Sequence, residues 1–203
     1  MGVDKFQPTD TQNYLRITVA QAKALGAAVC VGDVRILDLA SEIQKLLPTD
    51  IAKFAGRGID QIDVADDTST PNITENALTL TAAQYKALGT VKLTDEDAVT
   101  VTVTGADFLD PAHLTDAPTV AANVSYKTTF LAALAGKLVD IIDSTDNNQL
   151  SLTVAQFNSL TNAQHSVSLT STDTVTLVDA GANLGALDAT DIAALSGKFI
   201  DAI

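Results

Sequence analysis

Tryptophan is absent from this chain, cysteine and methionine occur once each, and aromatic residues make up 4% of its 203 positions. Each scarcity removes something. A single cysteine, Cys30, excludes an intramolecular disulfide. It stands in the apolar run Ala27–Val31 and reads as a small buried hydrophobe, since a reactive thiol needs an electropositive neighbourhood. With few aromatics, the core must be built from Leu, Ile, Val and Ala, which pack in the thin, regular layers of a stacked array. Cations are also scarce: 12 Lys and Arg stand against 25 Asp and Glu, a net charge of −13. That balance argues against nucleic acid and anionic membrane surfaces as partners, both of which need clustered cations. No apolar stretch reaches the roughly 18 residues of a membrane-spanning helix. The first residues lack the basic and apolar regions of a classical signal peptide. Neither a Gly-x-Ser-x-Gly elbow nor a glycine-rich phosphate loop with its lysine occurs. The two histidines, His113 and His165, have no second His or Cys at ligand spacing. The chain reads as non-enzymatic.

Repetition is what the sequence has instead. The phrase LSLTVAQFNSL (Leu150–Leu160) recurs as LTLTAAQYKAL (Leu78–Leu88) and LRITVAQAKAL (Leu15–Leu25). A second phrase follows each copy: Pro48–Asp63, Thr128–Asp143 and Ala189–Ile203. Gln21, Gln84 and Gln156 are equivalent, at spacings of 63 and 72 residues. Such a period marks a stacked architecture. Three repeats are expected, at about 15–67, 78–147 and 150–203. The middle one carries an insertion over Asp110–Lys127. The third reaches Ile203 where the earlier copies run on, which reads as a segment of a longer chain.

Within each repeat a short alternating strand leads to a threonine (Thr153 in the third copy) suited to cap a helix. The helix has an apolar stripe at Val154, Phe157 and Leu160, matched by Ala82, Tyr85 and Leu88 and by Val19, Ala22 and Leu25. Gly26 and Gly89 fit the left-handed position that ends it. Two β-rich pieces follow, Val91–Leu93 and Val99–Val103 in the middle copy, joined by the polar turn Thr94–Asp97. A second helical region comes next, with Thr49 and Thr190 as N-caps and Gly56, Gly136 and Gly197 as stops. Strands alternating with helices predict an α/β fold with short parallel strands, because parallel neighbours need crossovers. The expected form is a leucine-rich-repeat-like or helix-decorated β-solenoid; the alternative is an open parallel α/β sheet.

Two sets of residues are candidate sites. Asp60, Asp63, Asp66, Asp140, Asp143 and Asp146 cluster around the closing strands, and hard oxygen ligands suit calcium. The alternative is that they cap turns and keep an edge soluble. The second set lies in the insertion: Asp110, His113, Asp116, Asn123, Tyr126 and Lys127. Insertions in repeat proteins map to loops on one face, often the binding face.

The phrases LSLTVAQFNSL, LVDAGANLGAL (177–187), ATDIAALSGKFIDAI (189–203) and VDIIDSTDN (139–147) resemble tandem repeats of very large type I-secreted or cell-surface bacterial proteins, of adhesin or S-layer-like kind. The resemblance runs from about Leu15 to Ile203. It implies an extracellular or cell-surface location, neighbouring repeats of a longer chain as partners, and calcium-binding repeats nearby. The calcium nonapeptide itself is absent here, so the resemblance supplies no calcium site. The leading expectation is a structural or adhesive segment. A carbohydrate- or protein-binding module using the insertion, with surface polysaccharide or protein as partner, is the alternative, and a polysaccharide-acting enzyme a third.

Overall fold

The computed structural model describes residues 5–7, 14–65, 76–104, 136–145, 148–160 and 166–203. The fold is mixed α/β, with several short sheets whose strand pairs are parallel. The chain divides into two compact units, Met1–Val99 and Thr100–Ile203.

In the first unit, β1 (Lys5–Phe6) pairs with β3 (Val29–Cys30). β2 (Tyr14–Ile17), β4 (Asp33–Asp38), β5 (Gln61–Val64) and β7 (Lys92–Leu93) lie side by side in that order. Alternation sorts their faces, since successive side chains point opposite ways. Ile17, Ile36, Ile62 and Leu93 fall in register on the inner face and are all buried. The sheet skips β6 (Ala77–Thr81), so the middle copy's β7 returns to complete the sheet of the first copy. In the second unit, Thr100–Val103 of β8 (Ala98–Val103) pairs with β9 (Ile141–Ser144), which pairs with β11 (Ser168–Leu169). Here the third copy's β11 likewise joins a strand of the copy before it. β10 (Gln149–Leu152) pairs with β12 (Thr174–Leu177), and Thr176 bridges Ala202.

The first helix of each copy forms where the phrase predicts: α1 (Val19–Ala24), α4 (Ala82–Ala87) and α5 (Val154–Ser159). Thr18, Thr81 and Thr153 each accept the N–H of the glutamine three residues on, and that glutamine's side chain accepts the threonine N–H. This reciprocal box satisfies two donors a helix start otherwise leaves open. Gly26 and Gly89 take the expected left-handed conformation (φ 60° and 55°).

The second helical region differs from expectation. In the first copy it is α2 (Ala40–Ile43) and α3 (Pro48–Ile51), in the third α6 (Gly181–Leu184) and α7 (Ala189–Gly197). Thr49 and Thr190 lie inside their helices. Leu47 precedes α3, where Pro48 takes a first-turn site that needs no N–H donor. Asp188 caps α7, accepting from Thr190 and Asp191. The left-handed residue is not Gly56, Gly136 or Gly197 but the one two positions later: Gly58 (φ 71°), Leu138 (φ 63°) and Phe199 (φ 57°). A Cβ on Gly58 would sit 2.3 Å from the Cys30 carbonyl oxygen, so the first copy needs glycine there.

Candidate functional site

The recurrent aspartates act mainly as side-chain rungs of the parallel ladders. Asp60 Oδ2 accepts the Val34 N–H at 3.0 Å, while its own N–H donates to the Val34 carbonyl at 2.9 Å. Asp201 repeats the pair with Val175, at 2.7 and 2.8 Å. Asp140 holds the equivalent middle position and is half-buried. A second set closes the far end of the ladders. Asp97 Oδ2 accepts from Val64 N–H (3.2 Å) and Thr94 Oγ1 (2.7 Å), and Asp173 Oδ2 from Ser144 N–H (2.7 Å). The short strands β7 and β11 stop before they reach Val64 and Ser144, so a carboxylate from the following turn supplies the acceptor that the backbone does not. A third set caps helix starts across the sheet: Asp38 accepts from Val19 N–H and Asp179 from Val154 N–H.

Asp63 on β5 and Asp143 on β9 are half-buried and add negative charge beside Asp97 and Asp173. Asp97 is pushed up to about 6, by burial first and by Asp63 and Glu96 last, against the lowering effect of its two hydrogen bonds. Burial, then Asp143, pushes Asp173 in the same direction. Oδ1 of each is buried without a hydrogen-bond partner. Asp179 is held below the usual range by Asn183 and by the Ala180 N–H. Asp66 and Asp146 lie outside the described residues, as do Asp110, His113, Asp116, Asn123, Tyr126 and Lys127 of the insertion. Among the described residues no group of three or more His, Cys, Asp or Glu side chains is placed to hold a metal ion. Cys30 is buried and forms no disulfide, and burial, with Asp60 nearby, pushes its thiol up. It is therefore a poor nucleophile at neutral pH.

The outer face of the first unit's sheet carries a feature that the linear sequence hides. One residue position outward from the buried Ile17–Ile36–Ile62–Leu93 ladder lie Arg16, Arg35, Gln61 and Lys92, in register across four strands. Adjacent strands are about 4.8 Å apart, so the row spans roughly 14 Å. Like charges directly opposite one another are unfavourable. Tyr14 relieves the Arg16–Arg35 pair: their guanidinium carbons lie 4.9 and 4.7 Å from its ring centre. Arg35 also reaches Asp33 at 3.7 Å. Arg35 and Lys92 border a polar groove of about 410 Å³ with Asp33, Asp60, Gln61 and Thr90. The matching positions of the second unit, Thr100, Ile141 and Ser168, are uncharged.

Gln84 does more than complete its cap. Its amide nitrogen donates to the carbonyls of Gln44 (2.9 Å) and Leu46 (2.8 Å), at the end of α2. Around this clamp α2 packs on β6 and α3 on α4. Ile43, Leu46, Ile51 and Phe54 are buried there, at 2% exposure or less. The middle copy's first helix thus receives the first copy's helical pair. Among the described residues no helix is long and apolar enough to cross a membrane. Comparison with protein-family models, with curated proteins and with solved structures finds no match to this chain.

Proposed function

We propose that the chain is a non-enzymatic scaffold segment of a secreted or cell-surface protein, a solenoid of three repeats that serves as a load-bearing spacer. The observation that carries this reading is the interlocking of copies. β7 of the middle copy pairs with β5 of the first through Gln61–Lys92 and Ile62–Leu93, and β11 of the third pairs with β9 of the middle copy. A copy whose strand completes its neighbour's sheet cannot open alone, so stability passes along the array. The acidic aspartates are spent on backbone donors, as a scaffold role requires. The extracellular location rests on the resemblance of the repeated phrases to exported bacterial repeats. Single-molecule pulling of the full chain tests the spacer role. It should unfold in one or a few abrupt cooperative steps and refold on relaxation. Gradual extension at low force, copy by copy, would overturn the reading.

The basic row favours a second reading, a binding surface for an anionic polysaccharide. Arg16, Arg35 and Lys92 concentrate positive charge on one face of a chain whose net charge is −13. Titration with a polyuronate should show binding that weakens with salt, as expected for exposed charges. Lys92→Ala should weaken it at least several-fold. Binding indifferent to salt and to this substitution would remove the row from consideration.

A further inference from the structure

The clamp at Gln84 describes one complete contact between a first helix and the helical pair of the preceding copy. The chain also holds each half of that contact without its partner, in different places. The unfilled socket is on the first copy. Gln21 matches Gln84, yet it is exposed where Gln84 is 7% exposed. Leu15 and Leu25 are half-buried, whereas their counterparts Leu78 and Leu88 are at 0% and 1%. Beside Gln21 a groove of about 550 Å³ opens, lined mainly by apolar residues including Phe6, Leu15, Ile17 and Leu25.

The unseated plug is on the third copy. α6 and α7 repeat α2 and α3 at a constant offset. Leu184, Gly185, Leu187 and Ile192 therefore stand where Ile43, Gln44, Leu46 and Ile51 stand in the first copy. Ile51 is 1% exposed and Ile192 is 52% exposed. Leu184 and Leu187 are half-buried, whereas Ile43 and Leu46 are fully buried. The same apolar pattern is thus covered in one copy and bare in the other, and what covers it in the first is the Gln84 helix.

We propose that the chain docks head to tail on a second copy of itself. The α6–α7 pair of one molecule seats in the groove beside Gln21 of another, where the Gln21 amide nitrogen donates to the carbonyls of Gly185 and Leu187. The Gln84 clamp is the precedent, with the same phrase on each side. The two surfaces differ, so the contact is heterologous. The proposal goes beyond the spacer reading and stands or falls separately from it, because a load-bearing monomer is equally consistent with that reading.

Sedimentation velocity on the full chain, from micromolar to millimolar, tests it. The wild-type chain should grow in size with concentration. Ile192→Asp places a charge on the plug, and Gln21→Glu keeps the acceptor for the Thr18 N–H but replaces the amide donor by a carboxylate that faces the plug's carbonyls. Both positions are exposed in the single chain, so each variant should fold with an unchanged circular dichroism spectrum. Each alone should associate about tenfold or more weakly than wild type, a loss of one tenfold step in affinity. An equimolar mixture should recover a dimer and nothing larger, because the intact plug of one variant fits the intact socket of the other. A wild-type chain that is monomeric throughout, association untouched by either substitution, or a mixture no larger than its components would each overturn the proposal.

Discussion

The helical pair of the first copy and that of the third are written in nearly the same letters and meet different surroundings. Ile51 and Phe54 are 1% and 0% exposed, held between their own sheet and the next copy's helix; Ile192 is 52% exposed, though Leu195 at Phe54's position is still buried at 5%. One phrase therefore carries two apolar faces. The face toward its own sheet, marked by Phe54 and Leu195, is filled wherever the copy folds. The face marked by Ile51 and Ile192 is covered in the first copy, where the helical pair packs on the Gln84 helix, and bare in the third. Burial here belongs to the neighbour as much as to the residue.

Truncation at the two isoleucines is the strongest way to break this comparison. Ile51→Ala deletes buried methylene and methyl groups and should cost about 2–5 kcal/mol. Ile192→Ala, measured on dilute monomer, should stay within about 0.5 kcal/mol, as exposed substitutions do. Denaturant midpoints at constant slope provide the measurement. Equal losses at both sites would mean that Ile192 is covered in the monomer, and the two-face account would fail.

Much of each repeat's local structure was legible in the sequence because it depends on neighbours a few residues away. Thr18, Thr81 and Thr153 cap as their spacing to glutamine requires, and Gly26 and Gly89 end their helices in the left-handed form. Alternation also placed the strands and their parallel sense. Features that depend on distant partners were hidden. Asp60 meets Val34 and Asp97 meets Val64 only after the ladders form, so the sequence alone offers Asp60 as a calcium ligand or turn cap and Asp97 as part of a polar turn. Arg16, Arg35 and Lys92 are far apart in sequence and join into a row only when the strand register is known. Thr49 has the hydroxyl of a cap, but Pro48, one residue earlier, already takes the first-turn position. The left-handed site after the second helix is hidden in the sequence because two of its three occupants, Leu138 and Phe199, are residue types that rarely adopt it.

That left-handed site gives the next contrast. Gly58→Ala introduces a Cβ 2.3 Å from the Cys30 carbonyl oxygen, at φ 71°. The conformation alone costs about 1–2 kcal/mol for a residue with a Cβ, and the clash with backbone adds to it, so the loss should reach at least about 2 kcal/mol. Phe199 stands at the same position of the third copy with φ 57° and 44% exposure. Replacing it by glycine removes that conformational cost but also the contacts of a ring that is more than half buried, and the two roughly offset, so Phe199→Gly should stay within about 1 kcal/mol of wild type. A loss at Gly58 well above that at Phe199 is the expected result in thermal melts. A loss at Phe199 as large as that at Gly58 would break the contrast.

The smallest contrast concerns the carboxylates that close the two units' ladders, and it is read through pH. Asp97 has its folded pKa raised from 3.8 to about 6, chiefly by burial. A raised carboxylate pKa means that the native protein holds the proton more tightly than the unfolded chain. The resulting stabilisation is fully present below about pH 4, falls as pH rises through the window between the unfolded and folded values, and is gone above about pH 6. Asp97→Asn keeps an oxygen for the Val64 N–H and never ionises, but it leaves a buried amide N–H₂ where Oδ1 already lacks a partner. The variant should gain about 1–2 kcal/mol over wild type at pH 7, from about 1.4 kcal/mol per pKa unit less the cost of that amide. Near pH 4 the gain should vanish. Asp173, buried to the same 4% exposure, lacks the threonine partner: Thr170 Oγ1 bonds Thr172 instead. Its pKa is also raised, so Asp173→Asn should follow the same pH course with a smaller gain. Stability of the two variants measured from pH 4 to pH 8 decides the matter, and a gain independent of pH would show that buried charge is not what these ladder ends pay.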